Sequence, residues 1–333
     1  MKIFLILIII FIAIILLYGK KIIERFVKIK KQKEKILIED TLKQLYDGEY
    51  NSYLCTIDSI GKSLSLKRDD AKKLIDRLEE LNLIESNEGI ISLTESGRDN
   101  ALKIIRIHRL LERYFAEKTS IDGTQWHKLA EEKEHEIEIE EANKIAVELG
   151  NPLIDPHGDP IPTEKGIIHK EKSKSLNEMR EGALAQIIHI EDEPKEIYAA
   201  LNSYRIFPDM QLQVIRNSGD KVLIKTEGRE ILLSLTEAKN ISVKEIEEKV
   251  FVKESIKPLS TLRVGETAII SSLSRALRGQ QRRRLLDLGI VPGTKIKAVL
   301  ESIGRDPVAY EVRGTLIALR KNQSDYIFIK EVN

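Results

Sequence analysis

His108-Arg109-Leu110-Leu111-Glu112 and, further along, His127-Lys128-Leu129-Ala130-Glu131-Glu132-Lys133-Glu134-His135 decide how this chain is read. Imidazoles and carboxylates recur here three, four, seven or eight residues apart. On an α-helix those spacings share one face. Two helices with such faces, packed together, would offer nitrogen and oxygen donors to a divalent transition metal. The competing reading is a solvated acidic helix with incidental histidines, which the run from Glu131 to Glu136 would fit by itself. Four further donors in register with His108 and Glu112 favour the metal.

These stretches lie in residues 99 to 150, which read as two long helices, Asp99 to Lys118 and Gln125 to Leu149. Long amphipathic helices of this kind commonly dimerise. Just upstream, residues 36 to 98 read as helix (Ile36 to Tyr46), helix (Ile57 to Leu64), helix (Lys67 to Leu81) and hairpin. The hairpin joins Leu83-Ile84-Glu85 to Ile90-Ile91-Ser92-Leu93 through Asn87-Glu88-Gly89, a tight-turn sequence. That order is a winged helix-turn-helix, whose third helix enters a DNA major groove. Lys67, Arg68, Lys72 and Lys73 are suited to phosphate or guanine contacts. Asp69 and Asp70 run against this. They favour the helix terminus through its dipole but repel phosphate.

Further upstream, Ile3 to Tyr18 is an unbroken apolar run, slightly short of the roughly twenty residues that span a bilayer. No small-x-small cleavage site follows, so the expectation is a retained anchor over residues 1 to 19. Lys20, Lys21, Arg25, Lys28, Lys30, Lys31, Lys33 and Lys35 crowd the segment 20 to 35. The positive-inside rule then puts the rest of the chain in the cytoplasm, single-pass at the cell membrane, with the basic stretch near anionic lipid.

Downstream, residues 151 to 175, rich in proline, glycine and lysine, read as a linker. The remainder is an internal repeat. Leu176, Met179, Arg180, Gly182, Ala185 and Ile187 recur as Leu259, Leu262, Arg263, Gly265, Ala268 and Ile270. Ile206 and Pro208 recur as Ile290 and Pro292, and Gly228, Ile231 and Leu233 as Gly314, Ile317 and Leu319. Each copy, 176 to 250 and 256 to 333, has short alternating strands with a helix in the middle, the pattern of a small SH3-like β-barrel. Neither contains a catalytic constellation. Glu193 and Glu196 in the first copy are carboxylates with a reach toward the helical metal donors, whereas His157, His169 and His189 read as surface or core histidines.

The fold class is therefore α+β and multidomain: an N-terminal transmembrane helix, a winged helix-turn-helix, a helical metal-binding and dimerisation domain, and two SH3-like small β-barrels. With 333 residues there is room for this many units. The formal net charge is +1, so the whole-chain balance selects no partner. The single cysteine, Cys55, excludes an internal disulfide and a multi-cysteine zinc or iron–sulfur site. No nucleophile–base pair or phosphate-binding glycine loop points to an enzyme.

This order of parts resembles the DtxR/MntR family of metal-dependent transcriptional repressors over roughly Ile38 to Ile246. The residues that carry it are His108 to Arg113, Trp126 to His135, and Gly158-Asp159-Pro160-Ile161-Pro162. The second repeat more closely resembles FeoA, a small domain of ferrous iron uptake systems, through Arg282-Arg283-Arg284-Leu285-Leu286-Asp287-Leu288-Gly289 and its continuation to Thr294. The resemblance implies that His108, Glu112 and His127 hold one metal and that Glu131, Glu134 and His135 hold a second. It further implies a ligand from the first winged-helix helix, where Asp40 aligns. Glu131 stands where iron sensors have cysteine, and a carboxylate shifts preference toward harder ions. Lys43 stands where manganese sensors have a carboxylate. The expected metal is Mn2+ or Fe2+.

The expected function is a membrane-anchored regulator that binds DNA as a homodimer when metal is bound. The alternative is a tethered metal sensor or adaptor that acts on a metal transporter through its FeoA-like domain without reading DNA.

Overall fold

The computed structural model describes residues 2–169, 171–248, 257–274 and 276–331, with side chains from Ile23 through Lys330. The chain divides into two compact units. The first comprises residues 1–107 with 134–139 and 164–166; the second comprises 108–133, 140–163 and 167–333.

In the first unit, α1 (Lys2–Asn51) is followed by α2 (Ile57–Ser63), α3 (Arg68–Glu80), β1 (Ile84–Asn87), β2 (Ile90–Leu93) and the start of α4 (Glu95–Lys118). The first helix is not the short segment expected over Ile36 to Tyr46. It is one element of 50 residues, about 75 Å at 1.5 Å per residue. Nothing between Lys20 and Ile36 breaks it, since that stretch holds no proline or glycine and is dominated by good helix formers. The apolar run Ile3 to Tyr18 lies outside the residues whose side chains are described. Among the described residues no helix is long and apolar enough to cross a membrane.

Thr56 caps α2 reciprocally with Ser59, closing the turn before the helix pair. Leu42, Leu45, Ile60, Leu74, Ile75, Leu78, Ile84 and Leu93 form the core beneath α3 and the hairpin. The strands pair Ile84 with Leu93 and Asn87 with Ile90, and Glu88 and Gly89 at the tip take positive φ as the tight turn requires. At the start of α4, the Gly97 amide donates to the Thr94 hydroxyl at 3.0 Å. A β-carbon at Gly97 would sit 1.8 Å from the Leu83 carbonyl oxygen. Gly97→Ala is expected to cost about 1–3 kcal/mol of stability, as overpacking does; an unchanged melting temperature would contradict this close approach.

In the second unit, α4 runs on from His108, and a 3-10 turn capped by Asp122 leads into α5 (Trp126–Glu134). The expected single helix over Gln125 to Leu149 is in fact two, α5 and α6 (Ile139–Glu148). The break falls at His135, whose carbonyl accepts from Lys35 Nζ at 3.0 Å and Gln32 Nε2 at 3.5 Å. Side chains of α1 thus take the acceptor that a continued helix would use.

Residues 151 to 163 are not a loose linker. Asp155 is buried and accepts the backbone N–H groups of His157, Gly158 and Asp159 at 2.8–2.9 Å. Arg109 on α4 donates to the Pro160 carbonyl at 2.6 Å and lies 3.6 Å from Asp159. Gly158 has φ +100, and a β-carbon there would meet the Ile188 carbonyl at 2.0 Å, so this turn is closed tightly on the following strand.

The first barrel is β3 (Lys174–Ser175), β4 (Leu184–Ile190), α7 (Lys195–Ser203), β5 (Gln211–Asn217), β6 (Lys221–Thr226), β7 (Arg229–Ser234), α8 (Leu235–Lys239) and β8 (Ile241–Glu245). The second is β9 (Lys257–Pro258), β10 (Thr267–Leu273), α9 (Gly279–Asp287), β11 (Lys295–Glu301), β12 (Val308–Val312), β13 (Thr315–Leu319), α10 (Lys321–Ser324) and β14 (Ile327–Glu331). The strand orders, β3-β8-β4-β5-β6-β7 and β9-β14-β10-β11-β12-β13, are the same walk through the sheet. Even the bulges match: Ile187/His189 with Ile270/Ser272, and Val214/Arg216 with Ala298/Leu300. The repeated residues are the ones buried, among them Ala185 and Ile187 in one copy and Ala268 and Ile270 in the other. The second barrel approaches α4 at Gly279, where a β-carbon would lie 2.8 Å from the Thr119 carbonyl. Its neighbour Arg278 donates to the Pro156 carbonyl at 3.2 Å.

Candidate metal centre

Two clusters form, one in each unit. In the second unit, one helical turn of α4 places His108 over Glu112, with His108 Nε2 3.3 Å from Glu112 Oε1. From α5, His127 Nδ1 lies 3.2 Å from the same oxygen and 3.3 Å from His108 Nε2. His108 and Glu112 are buried, at 6% and 2% exposure. Two groups not expected from the sequence complete the set. Asp192, in the loop between β4 and α7, stands 2.9 Å from His127 Nδ1. His157, at 2% exposure, brings Nε2 within 3.6 Å of Glu112 Oε1, and neither of its ring nitrogens has a hydrogen-bond partner.

A buried carboxylate faced by imidazoles, with an unsatisfied buried histidine aimed at it, is a donor set that a cation would complete. The residues therefore fit a divalent ion: His108, Glu112 and His127 form one possible ligand group and Glu112, His157 and Asp192 another. The electrostatics agree. Burial alone would raise the Glu112 carboxyl, but His108, His127 and His157 hold it well below the usual range. Burial pulls the His127 imidazolium down, yet hydrogen bonds to Asp192, Glu112 and Glu131 outweigh it and push it up to about 12.

The carboxylate from the first barrel is thus Asp192. Glu193 and Glu196, the expected candidates there, are exposed, because the chain turns away at Pro194 and starts α7 on the surface. Nor is His157 an incidental histidine. Its place follows from the Asp155 turn, and the adjoining Gly158-Asp159-Pro160 sequence was the available signal. Asp192 had a weaker one, the acidic run Glu191-Asp192-Glu193 at the end of β4. His169 is exposed, and His189 lies 3.4 Å from Asp159.

In the first unit, Asp40 on α1 meets Glu134 and His135. His135 Nε2 is 3.2 Å from Asp40 Oδ1 and 3.7 Å from Glu134 Oε1, while Nδ1 is 2.7 Å from Glu39 Oε2. Burial lowers the His135 imidazolium, but Asp40 and Glu39 lift it to about 9. Lys43 Nζ sits 2.6 Å from Glu134 Oε1. Glu131, expected with Glu134 and His135, instead has Oε1 3.3 Å from His127 Nε2. The i,i+4 spacing on α5 puts it over His127.

Of the proposed DNA contacts, Lys67, Arg68, Lys72 and Lys73 are all exposed at the start of α3. Arg68 lies 3.5 Å from Asp58 and Lys73 3.3 Å from Asp70.

Comparison with known proteins accords with this architecture. Residues 94–163 match the iron-dependent repressor metal-binding and dimerisation domain, and residues 174–245 and 257–331 each match the FeoA domain. The iron-dependent repressor IdeR of Mycobacterium tuberculosis is 23% identical over 203 residues, 57% of this chain and 88% of that protein. A manganese-dependent transcriptional repressor in complex with manganese superposes with a TM-score of 0.57 and 26% identity, over 62% of this chain and 99% of that one. A probable metal transport system membrane protein of Chlamydia trachomatis is 35% identical over 80 residues, 24% of this chain, which spans only 18% of that protein's length. Fold and site together define a metal-sensing regulator rather than an enzyme. The chain belongs to the DtxR family, with FeoA domains at its C-terminal end.

Proposed function

We propose that the chain is a membrane-anchored transcriptional regulator that takes Mn2+ or Fe2+ at the cluster of His108, Glu112 and His127 and, as a homodimer, binds DNA through α3. The observation that carries the metal is the buried Glu112 carboxylate ringed by His108, His127 and His157, with Asp192 beside it. When bound, the ion supplies positive charge that these donors share. His108 and Glu112 belong to α4, His127 to α5, His157 to the Asp155 turn and Asp192 to the first barrel. Their convergence ties those elements to one point and favours the arrangement in which all of them meet.

Nitrogen and oxygen donors without a thiolate suit the harder first-row ions, which supports manganese or ferrous iron. The second cluster, with Asp40 on α1, sets the posture of the winged helix. The apolar run Ile3 to Tyr18 and the lysines behind it support the anchor, a cytoplasmic location for the rest and contact with lipid headgroups.

The test is a mobility-shift assay with and without Mn2+ or Fe2+. Metal-dependent, sequence-specific retention is expected; Lys72→Ala should weaken binding uniformly across sequences and lower the salt slope by about 1. A second reading is favoured by Asp69 and Asp70 in the exposed first turn of α3. On it, the chain is a tethered sensor that contacts a metal transporter through its FeoA domains and does not read DNA. Metal binding without any DNA retention, joined to transporter capture, would select that reading.

A further inference from the structure

We propose that Lys43 supplies the cation at the second cluster from within the chain, so that each protomer takes a single divalent ion and the turn bearing His135 is fastened to α1 without metal. This rests on the reading of the first cluster as the metal centre.

The two clusters differ in what faces their buried carboxylate. Glu112 faces imidazoles, weak bases that give up a proton to make room for a metal. Glu134, whose side chain is 1% exposed, faces an ammonium at 2.6 Å. A buried carboxylate is tolerated only with a compensating charge at hydrogen-bond distance, and Lys43 provides it. The placement is helical: Lys43 follows Glu39 by four residues and Asp40 by three, so all three project from one face of α1.

Around them the charges already balance by pairs. His135 spends one ring nitrogen on Glu39 at 2.7 Å and turns the other to Asp40 at 3.2 Å. Lys35 Nζ donates to the His135 carbonyl at 3.0 Å and lies 3.8 Å from Glu39. A divalent ion at the meeting point of Asp40, Glu134 and His135 would have to bond the oxygen that Lys43 holds. The ammonium, on its four-carbon stem from the same helix face, would remain beside it as a like charge. A tethered ammonium also has an effective concentration that no free ion at trace level matches. The donor set of the second cluster therefore does not fit a second metal.

The experiment is a titration of the full chain with Mn2+ alone, the bound ion per chain being read by native mass spectrometry and by the loss of the free-ion paramagnetic resonance signal. The expected result is one ion for the unaltered chain and two for Lys43→Glu. Adding Glu112→Gln should bring these to none and one. Two ions in the unaltered chain overturn the proposal. No ion in the unaltered chain with one in Lys43→Glu overturns the reading of the first cluster and leaves the role of Lys43 standing; no ion in either overturns both.

Should Lys43→Glu fail to fold, Lys43→Met gives a second readout by amide hydrogen exchange at residues 135 to 138. In the unaltered chain exchange there is expected to be the same in chelator and in Mn2+. In Lys43→Met it is expected to be faster by about tenfold or more, since the turn loses its fastening. Exchange in the unaltered chain that slows only when Mn2+ is added would overturn the proposal.

Discussion

Glu112→Gln is expected to lower the affinity for Mn2+ by on the order of 100-fold or more, since even partners one shell removed from a metal cost 10–100-fold. The amide keeps the volume and one acceptor oxygen, so the α4–α5 packing survives. What it removes is the negative charge that His108, His127 and His157 all face. Those imidazoles are then left around a neutral group, and a cation brought among them meets no counter-charge. The same variant should lose metal-dependent DNA retention while keeping its melting temperature in chelator within a few degrees. Isothermal titration with Mn2+, next to a thermal melt in chelator, separates the two effects. An Mn2+ affinity within a few-fold of the unaltered chain would place the metal elsewhere.

Metal affinity should also climb steeply with pH, by about tenfold per unit for each proton displaced. His127, pushed up to about 12, is protonated in the metal-free chain at neutral pH and must lose that proton to donate to an ion. Glu112, held well below the usual carboxylate range, is already ionised and releases none. From pH 6.5 to 8.5 the gain is therefore about 100-fold for His127 alone.

The stability of the metal-free chain runs the other way. The folded value for His127 lies above its unfolded one, so its contribution is complete below about pH 6.5 and declines as pH rises toward 12. The increment in melting temperature on adding Mn2+ should accordingly widen between pH 6.5 and 8.5. Calorimetry in two buffers of different ionisation enthalpy counts the protons. A heat independent of buffer, with an affinity flat in pH, would rule out an imidazolium at this position.

The sequence made some parts of this molecule readable and hid others for physical reasons. Helix periodicity gave α2, α3 and α4, because each buries one stripe against a single core. The hairpin was visible in Asn87-Glu88-Gly89, since few sequences adopt positive φ in succession. The repeat disclosed both barrels, because the residues repeated are the ones their cores bury.

Long-range convergence was not readable in the same way. His108, Glu112 and His127 could be joined by spacing, but Asp192 and His157 reach Glu112 only through a loop and a turn. No periodicity encodes where a loop ends. The break after Glu134 was missed for a similar reason, as Lys35 and Gln32, far away in sequence, hold the His135 carbonyl. Residues grouped by spacing alone were also sorted wrongly in one case, where Glu131 sits over His127.

The matched bulges show that both sheets are bent at equivalent rungs, whatever their connecting loops contain. In the first copy the segment leaving that frame carries Asp192; in the second, the residue at the same offset of 83 is Arg275. An acid in one copy and a base in the other means that duplication split the duties of a shared scaffold. One twin kept a place in the metal's coordination sphere, and its sibling, released from that task, was free to evolve for something else.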